Sequence, residues 1–136
     1  MSNDKIIEML NVGLGWELRA SALYSHYSAY VNGIHRLHLQ PFFDEESAES
    51  VVHGNTVRAA IVKLGGVAVT ERDATEIVHT TDYKIMLEEA MKTAQYAAES
   101  YQEVLNMIKD DDEMYDALEQ IFFDEARSVE ELKRLS

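Results

Sequence analysis

With 136 residues, 27% of them charged, the chain has the size and balance of one globular domain, residues 1–136. Its formal charge of −13 would repel phosphate, with no basic tail to offset it, so nucleic acid is excluded as a non-specific partner. No cysteine is present, which excludes disulfides and thiolate metal sites, and no apolar run approaches the ~20 residues that span a bilayer. The opening MSNDKIIEML lacks the pattern of a secretory signal, so a cytoplasmic location is expected.

The first predicted helix starts at Asn3 or Asp4, both N-cap types, and stops at Asn32-Gly33. Its inward face reads Leu10, Leu14, Glu17, Ser21, Tyr24, Ser28, Val31, in alternating steps of three and four. The second begins at Pro41, a favoured first-turn residue, and ends at Gly65-Gly66. Phe42, Glu46, Ser50, His53, Val57, Ala60 and Leu64 share one of its faces. Residues 66–81 form a connector in which VAVT reads as extended. A third helix, capped by Thr80 or Thr81, runs to about Lys109 with Leu87, Ala90 or Met91, Ala94, Ala98, Tyr101, Leu105 and Ile108 inward. DDD makes a short turn, and a last helix carries Leu118, Ile121, Glu125, Ser128 and Leu132.

Short first and third connections join antiparallel neighbours. The middle one reaches at most ~50 Å when extended, enough to run back along a second helix of ~37 Å. The expected fold is an all-α four-helix bundle: two antiparallel hairpins joined by one long crossover.

Five polar residues interrupt the inward stripes about half-way along: Glu17, Ser50, His53, Glu125 and Ser128. A carboxylate buried alone costs several kcal/mol or stays protonated. Two at one level beside a histidine are relieved by a divalent cation, and carboxylate plus imidazole suits iron, manganese or zinc. The plainer reading is a core histidine with satisfied bonds and glutamates that turn into solvent. The residues alone leave both open.

Three segments resemble bacterioferritins and related ferritin-like proteins. NVGLGWELRASALYSHY is similar to their first helix, where a ligand glutamate is followed seven residues later by tyrosine, here Glu17 and Tyr24. ESAESVVHGNTVRAAIVKLGG resembles their second helix, and FFDEARSVEEL their last, around an acidic D-E. The resemblance implies a ferritin-like bundle with a di-iron centre built from one glutamate on each of two helices and a Glu-x-x-His pair on each of the others. Carried over by position, it assigns Glu17, His53 and Glu125 as ligands. The bridging glutamate of the second helix falls on Ser50 and the last histidine on Ser128. The third-helix glutamate falls on Ala94 by stripe, or on Lys92 counting back from Glu125. What remains is a half site for one metal.

Glu49, four residues before His53, would complete a fuller centre if turned inward, although a solvated position is its ordinary reading. Glu46 is expected at the interior's edge. A Lys92 ammonium turned inward would replace the second metal and neutralise Glu125. His26 and His38 have the spacing of the histidines in DNA-protecting mini-ferritins (Dps-like), but Asn55 and Ala59 stand where those proteins supply acids. Haem is not expected, since Val51 occupies the place of its methionine. The resemblance also implies self-association as a dimer or hollow cage, twelve subunits rather than twenty-four because no fifth helix follows the fourth. The functions implied are iron binding and storage with slow or absent ferroxidase activity, a metal-free structural or partner-binding cage subunit, or Dps-like protection against iron and peroxide.

Overall fold

The three-four spacing of apolar residues produces four helices in the computed structural model, which describes residues 3–136: α1 (Asp4–Tyr30), α2 (Arg36–Lys63), α3 (Tyr83–Leu105) and α4 (Asp112–Leu135). Helices α1 and α2 form one antiparallel hairpin, α3 and α4 the other. The connector returns along α1, so α2 and α3 are parallel. Asn11 bonds Val67 O and the amide of Val69; the Asp73 amide donates to Gly15 O; and Tyr27 OH donates to Val78 O. Val67–Thr70 is irregular, and there is no strand among the described residues. Nor is any helix of the described residues long and apolar enough to cross a membrane.

Arg19 fixes the centre of this strap. Its guanidinium is buried and donates to Thr75 O (2.9 Å), Glu76 O (2.8 Å) and Thr93 Oγ1 (2.7 Å), tying α1 to the connector and to α3. Arg19→Met is expected to lower stability by about 3 kcal/mol, since charge-assisted bonds are lost and their acceptors left unpaired. Hydrogen exchange at the amides of residues 73–79 should accelerate before the rest of the chain. Unchanged exchange there would refute the strap.

Helix boundaries depart from the sequence expectation for local reasons. Helix α2 starts five residues before Pro41, at Arg36, because Leu39 is already buried and Arg36 Nη1 caps the end of α1 at Ser28 O and Val31 O. Pro41, lacking an N–H, costs this helix one early hydrogen bond. Asp82, not a threonine, caps α3 by accepting from the Lys84 amide. Helix α3 stops at Leu105, though Ile108 still reaches the core from the turn. Helix α2 ends as expected at the glycines: Gly65 has φ +84°, the amide of Gly65 donates to Val62 O, and that of Gly66 to Ile61 O.

The core falls into two apolar clusters. One gathers Leu10, Leu14, Val57, Ile61 and Leu118; the other gathers Leu23, Tyr27, Phe43, Leu87 and Leu132. The polar residues of the stripes lie at the level between them.

Candidate metal centre

Glu17 reaches this level from α1, His53 from α2 and Glu125 from α4, and they are only 1%, 5% and 8% exposed. One ligand atom from each lies within 4.8 Å of the others. His53 Nδ1 is 3.3 Å from Glu125 Oε1 and 3.5 Å from Glu17 Oε2, but neither approach has the direction of a hydrogen bond. Nδ1 and Glu17 Oε1 are therefore buried without a hydrogen-bond partner. Native interiors rarely tolerate such groups, which cost about 1–3 kcal/mol each, and a cation would satisfy both.

The far edge of the ring meets a second acidic pair. Nε2 lies 3.1 Å from Asp124 Oδ2, a hydrogen bond, and 3.9 Å from Glu49 Oε1. Asp124 is held in turn by Gln120 Nε2 (3.0 Å) and Arg127 Nη1 (2.9 Å). A hydrogen bond that fixes Nε2–H on Asp124 turns the Nδ1 lone pair toward Glu17 and Glu125, the carboxylate–histidine arrangement that orients metal-bound imidazoles. A cleft of about 210 Å³, lined in part by Glu46, Glu49, Asp124 and Ser128, opens on this outer side.

Charge is unevenly tolerated at this level. Burial opposes the His53 imidazolium, but the carboxylates of Glu125 and Glu17 outweigh it and raise its pKa to about 11. Burial, together with the Glu17 charge, pushes the Glu125 carboxyl up to about 8 against the pull of His53. Burial raises Glu46 to about 7, partly offset by the hydrogen bond from Ser128, and raises Glu49 against the attraction of His53. Without metal, the imidazolium is itself the cation of the centre.

The positions of the absent ligands are now defined. Ser50 is buried. Ser128 Oγ donates to Glu46 Oε1 at 2.7 Å, so Glu46 is tied to α4 at the interior's edge. Ala94 is buried, whereas Lys92 turns to solvent, 63% exposed and paired with Glu89 at 3.2 Å. Its ammonium does not neutralise Glu125, which corrects one reading of the sequence. Glu49 is half-buried beside the imidazole rather than free in solvent. What α3 brings to the centre is a phenol: Tyr101 OH donates to Glu17 Oε2 at 2.7 Å, and burial pushes this hydroxyl well above its usual pKa.

Asp124 and Tyr101 escape a reading of the sequence. Asp124 is visible there only as the neighbour of Glu125, one step off the stripe, and Tyr101 reads as ordinary core. The remaining histidines stay apart from the centre. His26 Nε2 is 2.9 Å from His79 Nδ1, while His35 stacks on Tyr83 and meets His38 edge-on. Trp16 stacks on Tyr96.

Two carboxylates and an imidazole gathered at one buried level, on a bundle of two hairpins with a long crossover, define the class: a four-helix bundle with a candidate centre for a divalent ion. The model of the ferritin-like domain matches residues 7–136, and the chain belongs to that family. A crystal structure of ferritin-like, diiron-carboxylate proteins from Bacillus anthracis strain Ames superposes with a TM-score of 0.91 and 32% identity, over 99% of each chain. The dodecameric thioferritin of Bacteroides fragilis, a bacterioferritin-related protein, has the same fold at a TM-score of 0.90 and 23% identity, over 98% of this chain and 85% of that one. No curated protein matches the chain.

Proposed function

We propose that the chain binds one divalent metal ion per subunit, iron in the first instance, between Glu17, His53 and Glu125, and that it sequesters iron as a subunit of an oligomeric ferritin-like assembly. The observation that carries this reading is that both Glu17 and His53 keep a buried, unpartnered polar atom, Oε1 and Nδ1, in a cluster whose ligand atoms, with that of Glu125, lie within 4.8 Å of one another. Manganese or zinc would suit the same donors. The likeness to a structure described as diiron-carboxylate, at 32% identity over the whole chain, supports iron as the cargo. Self-association is supported by the fold shared with a dodecameric protein.

One ion is proposed rather than two because Ser50, Ser128 and Ala94 stand where the further ligands of a full centre would be. Two-electron delivery to an oxidant is then not shared between paired metals, so binding and storage take precedence over rapid iron oxidation. Within the chain, His53 Nδ1 supplies the neutral donor once its proton has left, the two glutamates balance charge, and Asp124 holds the ring.

One observation favours a metal-free structural subunit instead: the imidazolium already lies among four carboxylates. Another favours two ions, since Glu49 and Asp124 offer oxygens on the Nε2 side. Anaerobic Fe(II) loading, desalting and elemental analysis separate the three. About one iron per chain, lost in Glu17→Gln, is the expected result. None retained would leave the imidazolium as the permanent cation, and about two would bring the outer acids into the centre.

A further inference from the structure

Helix α3 presents no carboxylate to the candidate centre among the described residues, yet it is not a bystander there. The Tyr101 ring is fully buried in the lower apolar cluster with its hydroxyl at the polar level, 2.7 Å from Glu17 Oε2. The ring has this position because α1 carries a glycine one turn before Glu17. A Cβ built on Gly13 would lie 2.9 Å from Tyr101 Cε1 and 3.2 Å from Cζ, closer than side chains normally approach. Gly13 thus opens the space through which α3 reaches the ligand of α1.

The bond has a directional consequence. Glu17 has two oxygens, and the phenol engages Oε2, while Oε1 is buried with no hydrogen-bond partner. A donor that occupies one oxygen, here the oxygen 3.5 Å from His53 Nδ1, disfavours chelation of a cation by both. We propose that Tyr101, seated against Gly13, is a positioning residue that makes Glu17 bind its metal ion through one oxygen rather than two. This rests on the metal-binding reading above and adds to it the ligand's mode of attachment and the residue that sets it. Tyr101 acts in place of a further α3 ligand: it fixes a carboxylate instead of supplying one.

The test uses Zn(II), which is redox-inert, and infrared difference spectra of the loaded against the metal-free protein. One-oxygen carboxylate ligands show widely separated antisymmetric and symmetric stretches, and two-oxygen ligands a narrow separation. The Glu17 bands are those that shift when glutamate labelled with carbon-13 at its side-chain carboxylate is placed at position 17 alone. In the wild type they should be widely split. In Tyr101→Phe, which preserves the ring and deletes the donor, the separation should narrow with one Zn(II) still bound. Gly13→Ala, which displaces the phenol without removing it, should shift the bands in the same sense and serves should Tyr101→Phe fold poorly. Identical Glu17 bands in the wild type and both variants, with Zn(II) bound, would overturn the positioning role while leaving the centre intact. A wild type that retains no Zn(II) would overturn the centre, and the positioning role with it.

Discussion

His53→Ala should lose the retained metal and about 3 kcal/mol of stability at neutral pH, the range expected when one partner of a buried charge cluster is removed. The substitution deletes the nitrogen donor and leaves Glu17 and Glu125 facing each other with no cation between them. The sign with pH follows from the shifts. The folded pKa of His53 is raised from 6.5 to about 11, so its stabilising contribution is complete below about 6.5 and disappears as the pH climbs through about 11. At pH 7 the wild type therefore holds nearly all of it. The variant's penalty should be about as large at pH 5 as at pH 7 and should shrink as the pH climbs toward 10, where the wild-type imidazolium approaches its own pKa. Thermal melts of both proteins at pH 7 and pH 10 test this. A midpoint loss of about 10 °C is expected at pH 7 and a distinctly smaller one at pH 10. Equal melting of the two proteins at pH 7 would show that the imidazolium carries no charge balance.

Metal uptake should expel about two protons per ion at pH 7. The metal-free centre holds the first on His53, with its pKa near 11, and the second, in most molecules, on Glu125, with its pKa near 8. Both must leave before the two side chains act as ligands, and the pair titrates as a unit. The apparent Zn(II) affinity should then rise about 100-fold per pH unit below pH 8 and about tenfold per unit above it, one power of ten for each proton displaced. Calorimetric titrations in buffers of different ionisation enthalpy measure the count directly. A count of zero would mean that metal binds somewhere other than at His53 and Glu125. The same exchange makes acid an unloading condition: protons reclaim the ligands, and the imidazolium resumes its place among the glutamates.

The helices are legible in the sequence because their apolar periodicity leaves one closed arrangement for two hairpins and a long crossover. Glu17, His53 and Glu125 stand out because each interrupts a stripe that packing would otherwise fill with carbon. Residues that work from beside a stripe give no such contrast. Asp124 points to the far edge of the imidazole from one step around α4, and Glu49 reaches it by helical adjacency. Tyr101 sits at a correct core position, and only the direction of its hydroxyl distinguishes it from packing. Counting along the chain from Glu125 places Lys92 at the centre, but the face of α3 depends on the winding of α3 itself, which turns Ala94 inward and Lys92 out. Pro41 and the threonines before α3 carry the usual boundary chemistry, yet burial of Leu39 and the nearer acceptor of Asp82 decide where the helices begin.

The connector changes what can be done to this chain. A free loop of its length would be slack and tolerant of insertion, but this one is pinned to α1 in sequence order at Asn11, Gly15, Arg19 and Tyr27. It behaves as a ruler, and adding or removing a residue between 67 and 78 would slide α3 along α1 and draw Tyr101 away from Glu17. The turn at Asn32-Gly33 is different: Gly33 has open space where a side chain would be, and both residues lie on the surface. Tags and probes belong there, at the hinge of the first hairpin, where they leave the alignment of all four helices unchanged.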